Sequence, residues 1–319
     1  MIQSFEFADG RVQYRNRFVR TEKFVEEEAA GELLYPTWTT RASGGVFSNI
    51  GGEMKSQAGV TTLIRDGKLL ASDEVIPPYA LDPDTLDTIG RFNFADGVSI
   101  AGCKAHTKTD PETGDWILAG TEYGPSMTLR YLILDRSGAV KAHGNYEFPR
   151  MIYLHDFFAT ERYLIFVLHP VEFLAFGMLA GLNSFTDSLT WSPDQGNLVM
   201  IVNKSGEKPA MLEAPAAFVW HGFNAYERGE EIVADFVGYD DPDHFIGANP
   251  AFKFVMRGEV GEARFPGKLR RYVMSPRQRK LTEEILHAGH HEFPMIDGRV
   301  AGRTNRYGYA NRGPDGTGF

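Results

Sequence analysis

Cysteine is almost absent from this sequence, since Cys103 is the only one among 319 residues. A lone cysteine excludes a disulfide within the chain and a cysteine-based zinc site. Basic residues are also in the minority: 33 lysines and arginines stand against 42 aspartates and glutamates, a net charge of −9. Because proteins that bind nucleic acid normally carry a basic face, this balance argues against a nucleic-acid partner. The first residues lack the basic and apolar regions of a secretory signal, so we expect a cytoplasmic protein.

Long apolar runs are equally scarce. One run, 163–182, reaches about twenty residues, the length of a membrane span. A His-Pro dipeptide and a glutamate within it argue against a span. We predict instead a buried strand at Tyr163–Leu168 and a short helix around Phe173–Leu182, with a peripheral membrane contact through residues 170–182 left open. The pattern of residues 21–34 predicts one amphipathic helix elsewhere.

Turns, in contrast, are abundant, with 34 glycines and an aromatic content of 13%. Asp66-Gly67 suits a two-residue hairpin turn, because both central residues of such a turn adopt positive φ. Segments that would pair across such turns are 5–7 with 12–15, 60–64 with 68–72, 129–134 with 140–143, 198–202 with 210–212, and 218–225 with 231–237. Successive hairpins predict an antiparallel all-β fold with few short helices. Four-stranded units of about 40–50 residues favour a β-propeller over a sandwich.

Three of the nine histidines stand next to predicted strands. They are His106, His155 and His221, separated by 49 and 66 residues. Intervals of about one propeller blade would let successive units direct an imidazole toward a common axis. Neutral imidazole is a good ligand for iron, zinc or copper. A single histidine is more often a hydrogen-bonded core or surface residue, so this spacing alone only suggests a metal site.

The sequences around these histidines are more specific than their spacing. The matching stretches are 77–83, 105–114, 154–163, 221–227, 292–294 and 302–307. With these motifs, in this order, the sequence resembles the carotenoid cleavage oxygenase family, which includes carotenoid, apocarotenoid and lignostilbene dioxygenases. The resemblance covers essentially the whole chain.

The resemblance implies a seven-bladed β-propeller with Fe(II) on its axis, held by four histidines. Three of the four match His106, His155 and His221, and two glutamates that orient ligands in the family match Glu74 and Glu292. A carboxylate that accepts the outer N–H of a ligand imidazole fixes its tautomer. The family's fourth histidine lies downstream of the last residue here, and its members begin earlier. We therefore expect residues 1–319 to form a single, partial propeller domain of about four to five blades, truncated at both ends.

The implied activity is that of a non-haem Fe(II) dioxygenase. Such an enzyme would use O₂ to cleave a conjugated C=C bond of a carotenoid, apocarotenoid or stilbene-type substrate into two carbonyl products. Candidates for the wall of an apolar substrate tunnel are Trp38, Phe157, Phe158, Phe173, Phe176 and Trp220. In the stilbene-cleaving branch a lysine usually precedes the position of Glu74, and a tyrosine lies near Trp38. Here the preceding residue is Asp73.

Two other functions are weighed against this one. A propeller that lacks the fourth histidine could serve as a catalytically impaired binding or scaffold module. A propeller hydrolase would use calcium held by carboxylate clusters on inner strands. The histidine motifs argue against the hydrolase, whereas iron content and oxygen consumption would separate the dioxygenase from the scaffold.

Overall fold

A computed structural model describes residues 1–51, 54–94, 98–124, 126–148 and 152–313. Strands dominate it. They are β1 (Ile2–Ala8), β2 (Arg11–Arg17), β3 (Thr61–Arg65), β4 (Lys68–Ser72), β5 (Tyr79–Leu81), β6 (Thr88–Arg91), β7 (Lys108–Thr109), β8 (Trp116–Tyr123), β9 (Met127–Leu134), β10 (Val140–Phe148), β11 (Phe158–Ala159), β12 (Tyr163–Leu168), β13 (Val171–Phe173), β14 (Leu189–Trp191), β15 (Asn197–Asn203), β16 (Ala210–Ala214), β17 (Phe218–Arg228), β18 (Glu231–Tyr239), β19 (Lys268–Ser275), β20 (Lys280–His287), β21 (His291–Met295) and β22 (Tyr309–Arg312). The α-helices are α1 (Glu22–Ala30), α2 (Ala175–Leu179) and α3 (Ala251–Val255).

Four of the sheets have four antiparallel strands each, in the orders β3-β4-β5-β6, β7-β8-β9-β10, β11-β12-β15-β16 and β17-β18-β19-β20. Hairpins β1-β2, β13-β14 and β21-β22 form two-stranded sheets. All strand pairs are antiparallel, and four-stranded antiparallel units are typical of propeller blades. The prediction of an all-β fold with a few short helices is confirmed.

The predicted hairpins are present at each of the five positions. In the β3-β4 hairpin, Asp66 and Gly67 have φ values of 51° and 70°, the left-handed conformation that this turn requires. Residues Thr61 to Arg65 pair in register with Ser72 to Lys68. The turn chemistry therefore fixed the register of this sheet locally, as expected from the sequence.

Neighbouring four-stranded sheets pack face to face. The position of β12 between two of them explains the start of the apolar run at residues 163–182. Alternate residues of β12 enter two different cores: Leu164 and Phe166 pack with the preceding sheet. Ile165 and Val167 pack with the following one. Since side chains on a strand alternate between its faces, a strand buried on both faces reads as a continuous apolar run.

The helices are shorter than predicted. Helix α1 begins after Thr21, whose Oγ1 accepts a hydrogen bond from Phe24 N at 3.1 Å, and ends at Gly31, with φ at 71°. The helix predicted around Phe173–Leu182 is corrected to strand β13 followed by the five residues of α2. Among the described residues, no helix is long and apolar enough to cross a bilayer.

Candidate metal centre

Each of the three candidate ligand histidines lies at the first strand of a different four-stranded sheet. His106 precedes β7, His155 precedes β11, and His221 lies within β17. The pairing of β17 with β18 shifts register on both sides of Gly222, the residue after His221. Such bulges re-aim a side chain, and they are frequent next to functional sites. Three sheets thus each contribute one imidazole to the same region.

The imidazole nitrogens converge. His106 Nε2 lies 3.0 Å from His155 Nε2, which lies 3.3 Å from His221 Nε2. All three nitrogens lie within 4.8 Å of one another. Ligands at about 2.0–2.2 Å from a shared ion must approach each other to this degree. Among the described residues this is the one group of three or more histidine, cysteine or acidic side chains with the spacing of a metal site.

Two of the three imidazole rings each have a glutamate carboxylate next to their outer nitrogen, Nδ1. Glu292 Oε2 lies 2.7 Å from His221 Nδ1, and Glu292 Oε1 accepts a hydrogen bond from the Tyr239 hydroxyl at 3.0 Å. Glu74 Oε1 lies 3.0 Å from His155 Nδ1. The Glu74 contact is the less well aligned, because Oε1 is buried without a hydrogen bond of good geometry. Nδ1–H held by a carboxylate leaves the Nε2 lone pair free for a metal.

The surroundings act differently on two of the rings, and a metal needs the neutral imidazole. Burial lowers the pKa of His106 to about 3. Burial acts the same way on His221, but the Glu292 carboxylate outweighs it and raises the pKa of that ring. Burial works against the charge of Glu74, yet nearby Lys104 and His155 hold the pKa of Glu74 below its usual value. Three imidazoles, two of them with a carboxylate behind the ring, fit a divalent transition metal, including Fe(II).

A cavity of about 380 Å³ adjoins two of the three histidines, His155 and His221. Its walls include His155, His221, Asp73, Tyr153, His244, Trp38, Trp220, Phe245, Phe252, Met256 and Phe293. Most of this surface is apolar or aromatic, a lining that suits a ligand with an extended π-system. The wall is braced by a hydrogen bond from Trp220 Nε1 to His244 Nε2 at 2.6 Å.

Two of the six predicted tunnel residues, Trp38 and Trp220, lie in this wall. The other four lie outside this wall. Phe157 and Phe158 enter opposite cores between sheets, since neighbouring residues of an extended segment face opposite ways. Phe158 also borders a separate pocket of about 280 Å³. Phe173 packs beside Phe185, and Phe176 on α2 is 82% exposed.

Sequence reasoning missed most of the aromatic wall. Tyr153 lies two residues before a candidate ligand, and Phe293 directly follows Glu292, so their motifs offered a signal. Phe245, Phe252 and Met256 come from the segment between β18 and β19, including α3, and no motif marks them.

Comparison with known proteins identifies the family. The model of the retinal pigment epithelial membrane protein (RPE65) family matches residues 1–318. The chain belongs to this family. The resemblance to carotenoid cleavage oxygenases is thereby confirmed, and curated relatives carry such names.

Isoeugenol monooxygenase of Pseudomonas nitroreducens is 30% identical over 97% of this chain and 63% of its own length. Apocarotenoid-15,15'-oxygenase of Synechocystis is 28% identical over 100% of this chain and 66% of its own length. The chain thus spans a little under two thirds of these relatives. The structure of cobalt-substituted Synechocystis apocarotenoid oxygenase is similar with a TM-score of 0.89 and 27% identity, covering 98% of this chain and 67% of that one.

Proposed function

We propose that this chain belongs to an Fe(II)-dependent oxygenase that cleaves a conjugated C=C bond into two carbonyl fragments. The observation that carries the proposal is the approach of three imidazole nitrogens to 3.0 and 3.3 Å, next to an aromatic cavity. The relatives' names refer to isoeugenol, apocarotenoids, lignostilbene and resveratrol, which all contain conjugated double bonds. We also infer that the four-stranded sheets are blades of a seven-bladed propeller, supported by the likeness to the apocarotenoid oxygenase structure.

In this proposal His106, His155 and His221 hold the metal through Nε2. Bound iron would supply the activation of O₂. Cleavage of one alkene by one O₂ gives two carbonyl groups, so atoms and electrons balance without an external reductant. The chain contributes position and environment: Glu74 and Glu292 fix two rings, and the aromatic wall excludes water and packs against the substrate.

The proposal is tested by loading the purified protein with Fe(II) without oxygen, then measuring iron per chain and O₂ uptake. Isoeugenol, a hydroxystilbene and an apocarotenal would serve as substrates, with aldehyde products identified by mass spectrometry. We expect stoichiometric iron and one O₂ consumed per alkene cleaved. Iron binding without turnover on any of the three would favour the binding-module function, and no iron binding would contradict the metal site.

A peripheral membrane contact is a second part of the proposal. Residues 46–50 and 174–182 lie side by side, because Ile50 bridges Ala180 and Gly51 N donates to Leu179 O at 2.9 Å. Exposed apolar side chains from the two segments are Phe47, Ile50, Leu174, Phe176, Leu179 and Leu182. A contiguous exposed apolar patch of this kind is suited to insertion among lipids.

We expect the protein to bind phosphatidylcholine vesicles. The double substitution Phe47→Ser with Phe176→Ser should weaken binding at least about tenfold, because the transfer of two phenylalanine side chains from water into the lipid would be lost. Ile89→Ser is the matched control, since Ile89 is an exposed apolar residue on β6, outside the patch. Equal co-sedimentation of the double variant and the wild type would reject the contact.

A further inference from the structure

The three histidine-bearing segments have no backbone ladder in common. β7, β11 and β17 belong to three different sheets, and no strand of one of these sheets pairs with a strand of another in the described residues. Packing between sheets is made by side chains, which tolerate small slides. A metal site needs its ligands held within about 0.5 Å of the working geometry by supporting contacts. Side-chain contacts between the sheets must therefore set the position of the three segments relative to one another.

Asp156 contacts all three. Its Oδ1 accepts a hydrogen bond from Lys108 Nζ at 2.6 Å, and Lys108 lies two residues after His106. Its Oδ2 accepts from Gly222 N at 2.9 Å, and Gly222 follows His221. Asp156 itself follows His155, and its Oδ1 also accepts from the next backbone amide, Phe157 N, at 2.7 Å. One carboxylate thus joins the segments of all three histidines.

The partners of this carboxylate are themselves constrained. Lys108 Nζ lies 5.4 Å from the centre of the Phe157 ring, a cation–π distance. A Cβ on Gly222 would lie 2.2 Å from Phe158 Cε1, so glycine permits the close approach of β17 to β11. The Asp156 side chain is 4% exposed, and hydrogen bonds to a buried ionised carboxylate are short and strong.

We infer that Asp156 is the positioning residue of the candidate metal centre: it sets the relative placement of His106, His155 and His221 without being a ligand. This inference rests on the proposed function for the metal, but the positioning of the three histidines by Asp156 can be observed in the metal-free protein. Asp156 is not in the group of side chains with metal-ligand spacing, and both of its oxygens are engaged elsewhere.

The test uses Asp156→Asn, which keeps the shape but replaces one acceptor oxygen by a donor. Asp115→Asn is the matched control, because Asp115 is also a buried aspartate paired with a lysine, at 2.5 Å from Lys141, and its side chain has no hydrogen bond to a histidine segment among the described contacts. Lys108→Met is a third variant, which releases only the His106 segment. Each is examined without metal by ¹H–¹⁵N correlation of the imidazole rings, then titrated with Co(II).

For Asp156→Asn we expect shifted signals from all three rings, a Co(II) dissociation constant raised about 10–100-fold and displaced ligand-field bands. For Asp115→Asn we expect imidazole signals, Co(II) affinity and ligand-field bands like those of the wild type, even if its thermal unfolding midpoint changes. Unchanged rings, affinity and bands in Asp156→Asn would overturn the inference. If that variant does not fold, Lys108→Met decides, and an unmoved His106 signal would overturn it. Failure of the wild type to bind Co(II) would contradict the proposed metal site. The ring signals of the metal-free protein would still show whether Asp156 positions the three histidines.

Discussion

His155→Gln is expected to lower the affinity for Fe(II) or Co(II) by more than about 100-fold, beyond the range usual for residues that only orient a ligand. His155 Nε2 lies between the other two, 3.0 Å from one and 3.3 Å from the other. Its removal would leave the two remaining rings without the nitrogen that bridges them. Oxygen uptake with any alkene should fall to background, because the metal would be absent at working concentrations.

The measurement is equilibrium dialysis against the metal, followed by O₂ uptake with the substrate that gave turnover. His143→Gln is the control, since His143 is an exposed histidine on β10 that lies outside all three motifs. The control should bind and turn over like the wild type. Retention of stoichiometric metal in His155→Gln would mean that the metal binds elsewhere, and the three-histidine site would have to be abandoned.

The parts of the fold that depend on neighbouring residues could be predicted from the sequence. Turn residues such as Asp66 and Gly67 carry their own conformational preference, so hairpins could be located without knowledge of the rest of the chain. The apolar run at β12 required one further step, from continuous hydrophobicity to burial on both faces. The length of the helix around Phe173–Leu182 was overestimated, because a continuous apolar run does not show the periodicity that distinguishes a helix from a strand. In the structure this segment forms the end of β13 and the short helix α2.

The site was accessible only in part. Motifs pointed to the histidines and glutamates, but which glutamate faces which ring depends on how separate sheets stack, a property that no local pattern carries. The structure pairs Glu74 with His155 and Glu292 with His221. Asp156 stood in a recognised motif, yet its bond to Gly222 N joins residues 66 apart and cannot be read from either segment alone.

The cavity wall shows the same limit more strongly. Trp38 comes from the segment before β3, whereas Phe252 belongs to α3. Segments this far apart meet only after the sheets have packed. The sequence marks such residues merely as aromatic, and most aromatics in an all-β chain are core, as Phe157 proved to be.

Glu292→Gln and Glu74→Gln are expected to weaken metal binding about 10–100-fold each, the usual cost of losing a partner behind a ligand histidine. The two should differ in stability. Lys104 is 3% exposed and its Nζ lies 4.0 Å from Glu74 Oε2, so Glu74→Gln leaves a buried ammonium without its carboxylate. Removing one member of a buried pair typically costs about 3–5 kcal/mol of unfolding free energy. The Glu292 carboxylate has a hydroxyl, an imidazole and the backbone N–H of Phe293 as partners, and no such cation at this distance in the described contacts.

Urea unfolding without metal and Co(II) titration of the same preparations separate the two effects. Glu227→Gln is the control, because Glu227 is a largely buried carboxylate on β17, the strand of His221, and it pairs with Arg162 instead of a histidine. It should leave Co(II) affinity unchanged. We expect Glu292→Gln to lose affinity with little loss of stability, and Glu74→Gln to lose both. Since Glu292 Oε2 makes the shorter contact, 2.7 Å against 3.0 Å, its variant should lose the more affinity. Wild-type affinity in both variants would show that the carboxylates do not orient the rings, and the histidines would then owe their placement to the backbone and to Asp156 alone.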